Sequence, residues 1–288
     1  DNADITETIK EIEEAAVPNV DPTFSATTFD AGSTVDDSAA DDTFASLSGR
    51  LNASDTDGGT MSYGGSASGV YGRLVVNSNG TFTYIVDNEA SQALTSNATD
   101  SFTVSVSDGQ GGTVNTTLAF TIAGENDAPD LVNADADLVM PRINEDPTGN
   151  NGQSVANLLE PRFTDRDSGA SLGGMLITSN DADAATGAWQ YSTDGGTNWY
   201  DVGAVSTTNA LALDDTALIR FSPAADWNGN ATPLTVYATD NLYAGGYTSG
   251  ATANYETDLS ASGVSSNSID IDITVVPVND GPRFDTAP

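Results

Sequence analysis

The chain has 288 residues and carries 42 Asp and Glu against 8 Lys and Arg, a formal net charge of −34. Such an acid excess opposes nucleic-acid phosphates and anionic membrane surfaces, both of which are held by Lys and Arg. There is no His or Cys, and Lys10 is the one lysine, so imidazole and thiolate catalysis, a soft zinc site and Schiff-base chemistry drop out and no enzyme is expected.

Residues 1–20 place Ile5, Ile9 and Ile12 at helical spacing beside Glu11, Glu13 and Glu14, and read as a short helix or the end of a linker. From Pro22 to Gly124 the apolar period falls to two. Leu74–Val76, the turn Asn77–Gly80 and Thr81–Val86 predict one hairpin. Phe102, Val104 and Val106 alternate with Thr and Ser. They lead through Asp108-Gly109-Gln110-Gly111-Gly112 into Val114–Ile122, a second hairpin. Short strands punctuated by turns about every ten residues predict an antiparallel sandwich of about 100 residues.

A longer unit of the same style follows. Strands are predicted at Leu172–Thr178, Gly187–Ser192, Leu218–Phe221, Leu234–Ala238 and Ile269–Val276, with no central helix. The stretch Tyr243–Ser266, rich in Gly, Ala and Ser, exceeds what a minimal sandwich needs and reads as disorder or a plain elaboration. Gly124-Glu125-Asn126-Asp127-Ala128-Pro129 recurs as Val278-Asn279-Asp280-Gly281-Pro282, each time after an alternating apolar strand. Proline fixes the direction of the chain there, so each Asn-Asp-x-Pro marks a stiffened junction. The expected organisation is all-β: a linker or short helix over 1–20, a sandwich over 21–127, a larger sandwich over 128–280, and the start of a further linker over 281–288.

With 38% hydrophobic residues, 9 Phe, 9 Tyr and 3 Trp, the chain can build cores for about two domains. No apolar run approaches the roughly 20 residues of a membrane span, and nothing resembles a signal peptide. The acids divide evenly: 20 precede Pro129 and 22 follow it, and 33 of the 42 are Asp. Asp favours turns and is a short, stiff oxygen ligand for hard cations, so the charge is expected in loops rather than in a tail.

Residues 63–129 resemble a VCBS repeat. The likeness rests on Tyr71-Gly72-Arg73-Leu74-Val75-Val76, Asn79-Gly80-Thr81-Phe82-Thr83-Tyr84, Ser107-Asp108-Gly109-Gln110-Gly111-Gly112 and the Asn-Asp-Ala-Pro ending. Residues 130–282 more loosely resemble a cadherin-like bacterial repeat, through Glu145-Asp146, Thr164-Asp165-Arg166-Asp167, Trp189-Gln190-Tyr191-Ser192 and Thr239-Asp240-Asn241. The resemblance implies tandem Ig-like or cadherin-like sandwiches joined by a calcium-stiffened linker. It also implies an extracellular place in a large RTX-type adhesin of Gram-negative bacteria. Partners would be neighbouring repeats of the same chain, and possible further ones a host or biofilm glycan or protein, with no nucleic acid and no membrane insertion.

Calcium takes six to eight hard oxygens, and a D-x-D beside a bend can bring two carboxylates to one ion. Asp55-Thr56-Asp57 before Gly58-Gly59, and Asp165-Arg166-Asp167 before Ser168-Gly169, meet that condition. By resemblance to cadherins, the middle junction would draw on Glu125, Asn126, Asp127, Asp165, Asp167 and Asp240. The last would use Glu145 or Asp146 with Asn279 and Asp280, while Asp55, Asp57 and Asp108 would face an upstream junction. Solvated turn acids are the bland alternative for any single D-x-D. The pairs Asp36-Asp37, Asp41-Asp42 and Asp214-Asp215, and Asp181 with Asp183, read as loop charge.

Ser192-Thr193-Asp194-Gly195-Gly196-Thr197-Asn198-Trp199 nearly fits the Asp-box of sialidases, but one copy in a sandwich reads as a structural turn. Trp189, Trp199 and Trp227 are candidates for a sugar platform, against the commoner fate of core packing. A calcium-dependent glycan- or protein-binding second domain is therefore the alternative reading. A carboxylate glycosidase ranks below it, because Asp is abundant enough for some pair to fit by accident.

Overall fold

The computed structural model describes residues 18–36 and 43–281. The helix or linker expected over 1–20 falls outside these apart from residues 18–20, as do Asp37, Asp41 and Asp42. The chain divides into two compact units, one ending at Glu125 and the other beginning at Asn126. Each is built from antiparallel sheets around its own apolar core.

In the first unit, a four-stranded sheet runs in the order Thr34–Asp36, Thr113–Ala123, Ala98–Ser107, Ser62–Gly64. A five-stranded sheet runs Thr28–Phe29, Leu47–Arg50, Thr81–Val86, Gly72–Val76, Ala67–Ser68. The two hairpins read from the sequence form in register: Val75 faces Thr83 and Phe102 faces Leu118. Alternation puts Leu74, Phe82, Tyr84, Phe102, Val104, Leu118, Phe120 and Ile122 inside. Tyr84 stacks on Phe120 at 4.3 Å between ring centroids, with Phe82 and Phe102 edge-on to Phe120. Buried Tyr84 has its hydroxyl satisfied by donating to buried Asp100 at 2.7 Å, and Asp100 also accepts from the backbone of Val70 and Tyr71.

The second unit pairs a six-stranded sheet with a four-stranded one. The first runs Leu138–Val139, Val264–Asp272, Leu234–Asp240, Leu172–Asn180, Ala210–Asp214, Tyr255–Glu256. The second runs Gln153–Ser154, Leu218–Pro223, Gly187–Ser192, Tyr200–Asp201. Trp189 and Phe221 meet at 5.4 Å in its core, where Ile219, Val236, Ile269 and Ile271 also lie. The pairing departs from purely antiparallel at three places. Short early strands run parallel to late ones: Thr34–Asp36 beside Thr113–Ala123, Leu138–Val139 beside Val264–Asp272, and Ile143–Asn144 beside Thr274–Val276.

Of the two expectations for Tyr243–Ser266, the structure corrects disorder and shows an ordered elaboration of the sandwich. Tyr243, Tyr247, Leu259 and Ala261 pack on Leu176, Ala210, Ala212 and Val264, on the outer face of the six-stranded sheet. That cover buries Leu176 on the face opposite Met175 and Ile177, so the short apolar run Met175-Leu176-Ile177 does not alternate.

Candidate functional site

Burial sorts the acids. Among the described residues, six acidic side chains are buried: Asp100, Asp108, Asp127, Glu145, Asp167 and Asp240. A carboxylate is costly to remove from water unless donors or a cation replace its hydration. Asp100 meets that need with the three donors described above. The other five lie in two kinds of oxygen-lined cradle.

The first kind occurs in both units with the same hydrogen-bond pattern. In the second unit, Asn126 donates its side-chain amide to Asp240 Oδ2 at 2.8 Å, and the backbone N–H of Asp127 donates to Asp167 Oδ2 at 2.8 Å. The N–H of Asp167 turns back to Asp165 Oδ1 at 2.9 Å, and that of Leu242 reaches Asp240 Oδ1 at 2.7 Å. In the first unit, Asn19 donates to Asp108 Oδ2 at 2.9 Å and Val20 N–H to Asp57 Oδ2 at 2.8 Å. Asp57 N–H turns back to Asp55 Oδ1 at 3.2 Å, and Gln110 N–H reaches Asp108 Oδ1 at 2.6 Å. Position by position, Asn19 matches Asn126, Asp55 and Asp57 match Asp165 and Asp167, and Asp108 matches Asp240.

Backbone chemistry explains the shape. Each D-x-D closes an Asx-type turn on itself, and each late Asp sits at the end of a long strand where the chain turns. Asp108 and Asp240 accept at both oxygens, whereas Asp55 and Asp165 accept at Oδ1. Asp55 Oδ2 and Asp165 Oδ2 are buried atoms to which no donor among the described residues extends. Burial, and next the charge of Asp240, pushes the Asp165 carboxyl above its ordinary value. Asp55 is raised chiefly by the hydrogen bond between its side chain and that of Asp57, and the same side-chain contact holds Asp57 down. The Asn19 amide, then the Gln110 N–H, hold Asp108 below the usual carboxylate range. A hard cation fits this set: every candidate donor is an oxygen, two buried oxygens lack a protein donor, and the acids repel one another without a countercharge.

The second kind of cradle belongs to the second unit. Asp146, Asp226 and Asp280 each offer an exposed carboxylate oxygen, and these oxygens lie within 4.8 Å of one another. Buried Glu145 stands next to Asp146, accepting from Val278 N–H at 2.7 Å and from the Asn228 amide at 3.0 Å. Asn279 is exposed next to Asp280, and Glu125 is exposed two residues after the end of the strand Thr113–Ala123.

Two residues escaped the sequence reading. Asn19 could have been found, because Asn19-Val20-Asp21-Pro22 is the junction motif with Val in place of the first Asp. Asp226 carried no such signal; it is placed by a left-handed backbone, φ 59°, at the turn before Trp227. The tryptophans are engaged elsewhere: Trp189 is buried, Trp227 packs on the core, and Arg220 stacks 3.8 Å over Trp199. The Asp-box segment is a self-bonded turn in which Asp194 accepts from Asn198 N–H and Ser192 Oγ, while Trp199 donates to Gly196.

No helix among the described residues is long and apolar enough to cross a membrane. No curated protein matches the chain. Three solved structures illustrate the similarity that was found. Human protocadherin-24 EC1-2 is 19% identical, with 91% of this chain and 100% of that one covered and a TM-score of 0.36. Mouse cadherin-23 EC22-24 is 18% identical over 91% and 68%, with a TM-score of 0.42. Drosophila N-cadherin EC1-4 is 14% identical over 91% and 50%, also at 0.42, so the chain spans half the length of that fragment. At these scores the likeness adds nothing to the sheets already described. The sequence comparison is more specific, and it falls on the first unit: residues 14–124 match the family of the bacterial cadherin-like domain.

Proposed function

We propose that the chain is a non-catalytic, calcium-binding segment of an extracellular bacterial adhesin, its two units being tandem repeats whose junctions are stiffened by the ion. The observation that carries this reading is the repeated cradle. Two units of different length and sequence converge on the same arrangement of linker Asn, D-x-D and late Asp, and both leave an oxygen of the first D-x-D acid buried without a donor. Asp55, Asp57 and Asp108, with Asp21 of the adjoining linker, would serve the first unit. Asp127, Asp165, Asp167 and Asp240, with Asn126, would serve the second. Glu145, Asp146, Asp226 and Asp280, with Asn279, would form the remaining cradle, and Glu125 would contribute to the middle junction. When bound, calcium neutralises the mutual repulsion of these groups; the chain's own residues supply the oxygens and hold them at fixed spacing. The VCBS-like motifs, the RTX-type parent protein and the Gram-negative surface belong to this same proposal.

The test is calorimetric titration with calcium, followed by thermal unfolding in 10 mM calcium and in EGTA. An affinity of ~0.1–1 mM suits an extracellular module. At a hundredfold excess over Kd, linkage stabilises the folded state by about 2.7 kcal/mol, which raises the transition temperature by several degrees. Asp165→Asn combined with Asp167→Asn should remove most of that rise for the second unit. Identical transitions with and without calcium, and no binding heat, would overturn the proposal.

A further inference from the structure

The two cradles of the first kind differ in what hangs from the late Asp. In the first unit the chain turns at once: Asp108 and Gly112 close a short hairpin, with Asp108 N–H donating to Gly112 O. In the second unit the corresponding bond runs from Asp240 N–H to Gly263 O at 3.1 Å, and the excursion Asn241–Ser262 is inserted between the two. The excursion does not leave the cradle free. Tyr243 N–H donates to Asp240 O at 3.3 Å, so the backbone on both sides of the candidate ligand is bonded to residues of the insertion or its return. Buried Thr239, one residue before, shares a 2.7 Å hydrogen bond with the hydroxyl of Tyr247.

Small residues make the contact possible. A Cβ on Gly173 would lie 2.7 Å from the Tyr247 hydroxyl, and one on Gly174 the same distance from its ring. Further out, Thr248 N–H donates to Ala212 O and Ala212 N–H to Asn254 O, while Tyr255 and Glu256 add a strand beside Leu211 and Ala210. Tyr243 closes the cover by donating to Glu256 at 2.8 Å.

We propose that this excursion is an ion-linked cover: its docking on the outer face of the sheet and cation binding at Asp165, Asp167 and Asp240 stabilise each other, with Tyr247 as the positioning residue. The inference rests on the calcium reading above. Without a cation, the charge of Asp240 opposes that of Asp165, and any retreat of Asp240 loosens the bonds to Tyr243, Gly263 and, through Thr239, to Tyr247. A cation that draws the acids together tightens the same bonds, and by linkage whatever favours docking must favour the cation equally. The first unit, with the same cradle and no excursion, is an internal control.

The experiment uses the full chain as wild type, Tyr247→Phe and Thr239→Val. Calcium binding is followed by calorimetry, and chymotryptic cleavage within 241–262 is mapped by mass spectrometry with calcium or EGTA. Calcium should slow cleavage of the excursion about tenfold in the wild type. Each variant should weaken one class of calcium site by about two- to tenfold, the equilibrium worth of one hydrogen bond, and leave the other class unchanged. If the wild type binds calcium but cleavage is the same with and without it, or the variants lose stability with unaltered affinity, the cover is merely structural and the proposal is overturned. If the wild type takes up no calcium, the earlier reading falls and this one with it.

Discussion

Asp100 and Asp240 are equally hidden from water, yet one is finished by the protein and the other faces a crowd of acids. Asp100 has a tyrosine hydroxyl and two backbone donors; Asp240 has an amide and one backbone N–H, and its charge disturbs Asp165. The sequence separates the two only in part. Asp240 and Asp108 stand at turns after long alternating strands, where a candidate ligand was legible, whereas nothing in the sequence singles out Asp100, because its donors come from residues 70, 71 and 84. Asp194 shows what an exposed turn acid contributes. The Asn198 backbone N–H, then its side chain, hold the Asp194 carboxyl below the ordinary value. A depressed carboxyl stabilises the fold above its unfolded value, and that contribution disappears as pH falls through the folded one. Asp194→Ala should therefore lower the transition temperature at pH 7, and the gap to wild type should narrow as pH falls below the ordinary carboxylate range; a gap independent of pH would refute this origin.

At the scale of elements, alternation carried most of the information. The strand Gly187–Ser192 lies where it was expected, and the hairpins of the first unit have the anticipated turns. What alternation could not reveal is the second layer on the six-stranded sheet. A Gly- and Ser-rich stretch has the composition of a loop, and its four apolar anchors, Tyr243, Tyr247, Leu259 and Ala261, follow no regular period. The consecutive Met175-Leu176-Ile177 within Leu172–Asn180 were the available clue, since a strand needs continuous apolarity only when both faces are covered. Leu176 belongs to the smaller core and is fully buried. Leu176→Ala should cost about 2–5 kcal/mol in denaturant unfolding and speed proteolysis of the excursion. An effect below about 1 kcal/mol would mean that the cover is only loosely packed.

For the molecule as a whole, the −34 charge is shared between two units with separate cores. Scanning calorimetry should resolve two transitions, because no member of one core cluster belongs to the other; a single transition whose calorimetric and van't Hoff enthalpies agree would count against that independence. The charge arithmetic foretold a protein of acidic loops, but not that five acids would be buried at cradles, which depends on long-range folding rather than composition. The contrast between the Asp108–Gly112 turn and its expanded counterpart at Asp240 and Gly263 has a practical side. Keeping the Asp and the Gly keeps the bond between them, so the short turn of the first unit is a natural grafting point. A foreign peptide placed between Asp108 and Gly112 would be displayed from a rigid hairpin without breaking either strand.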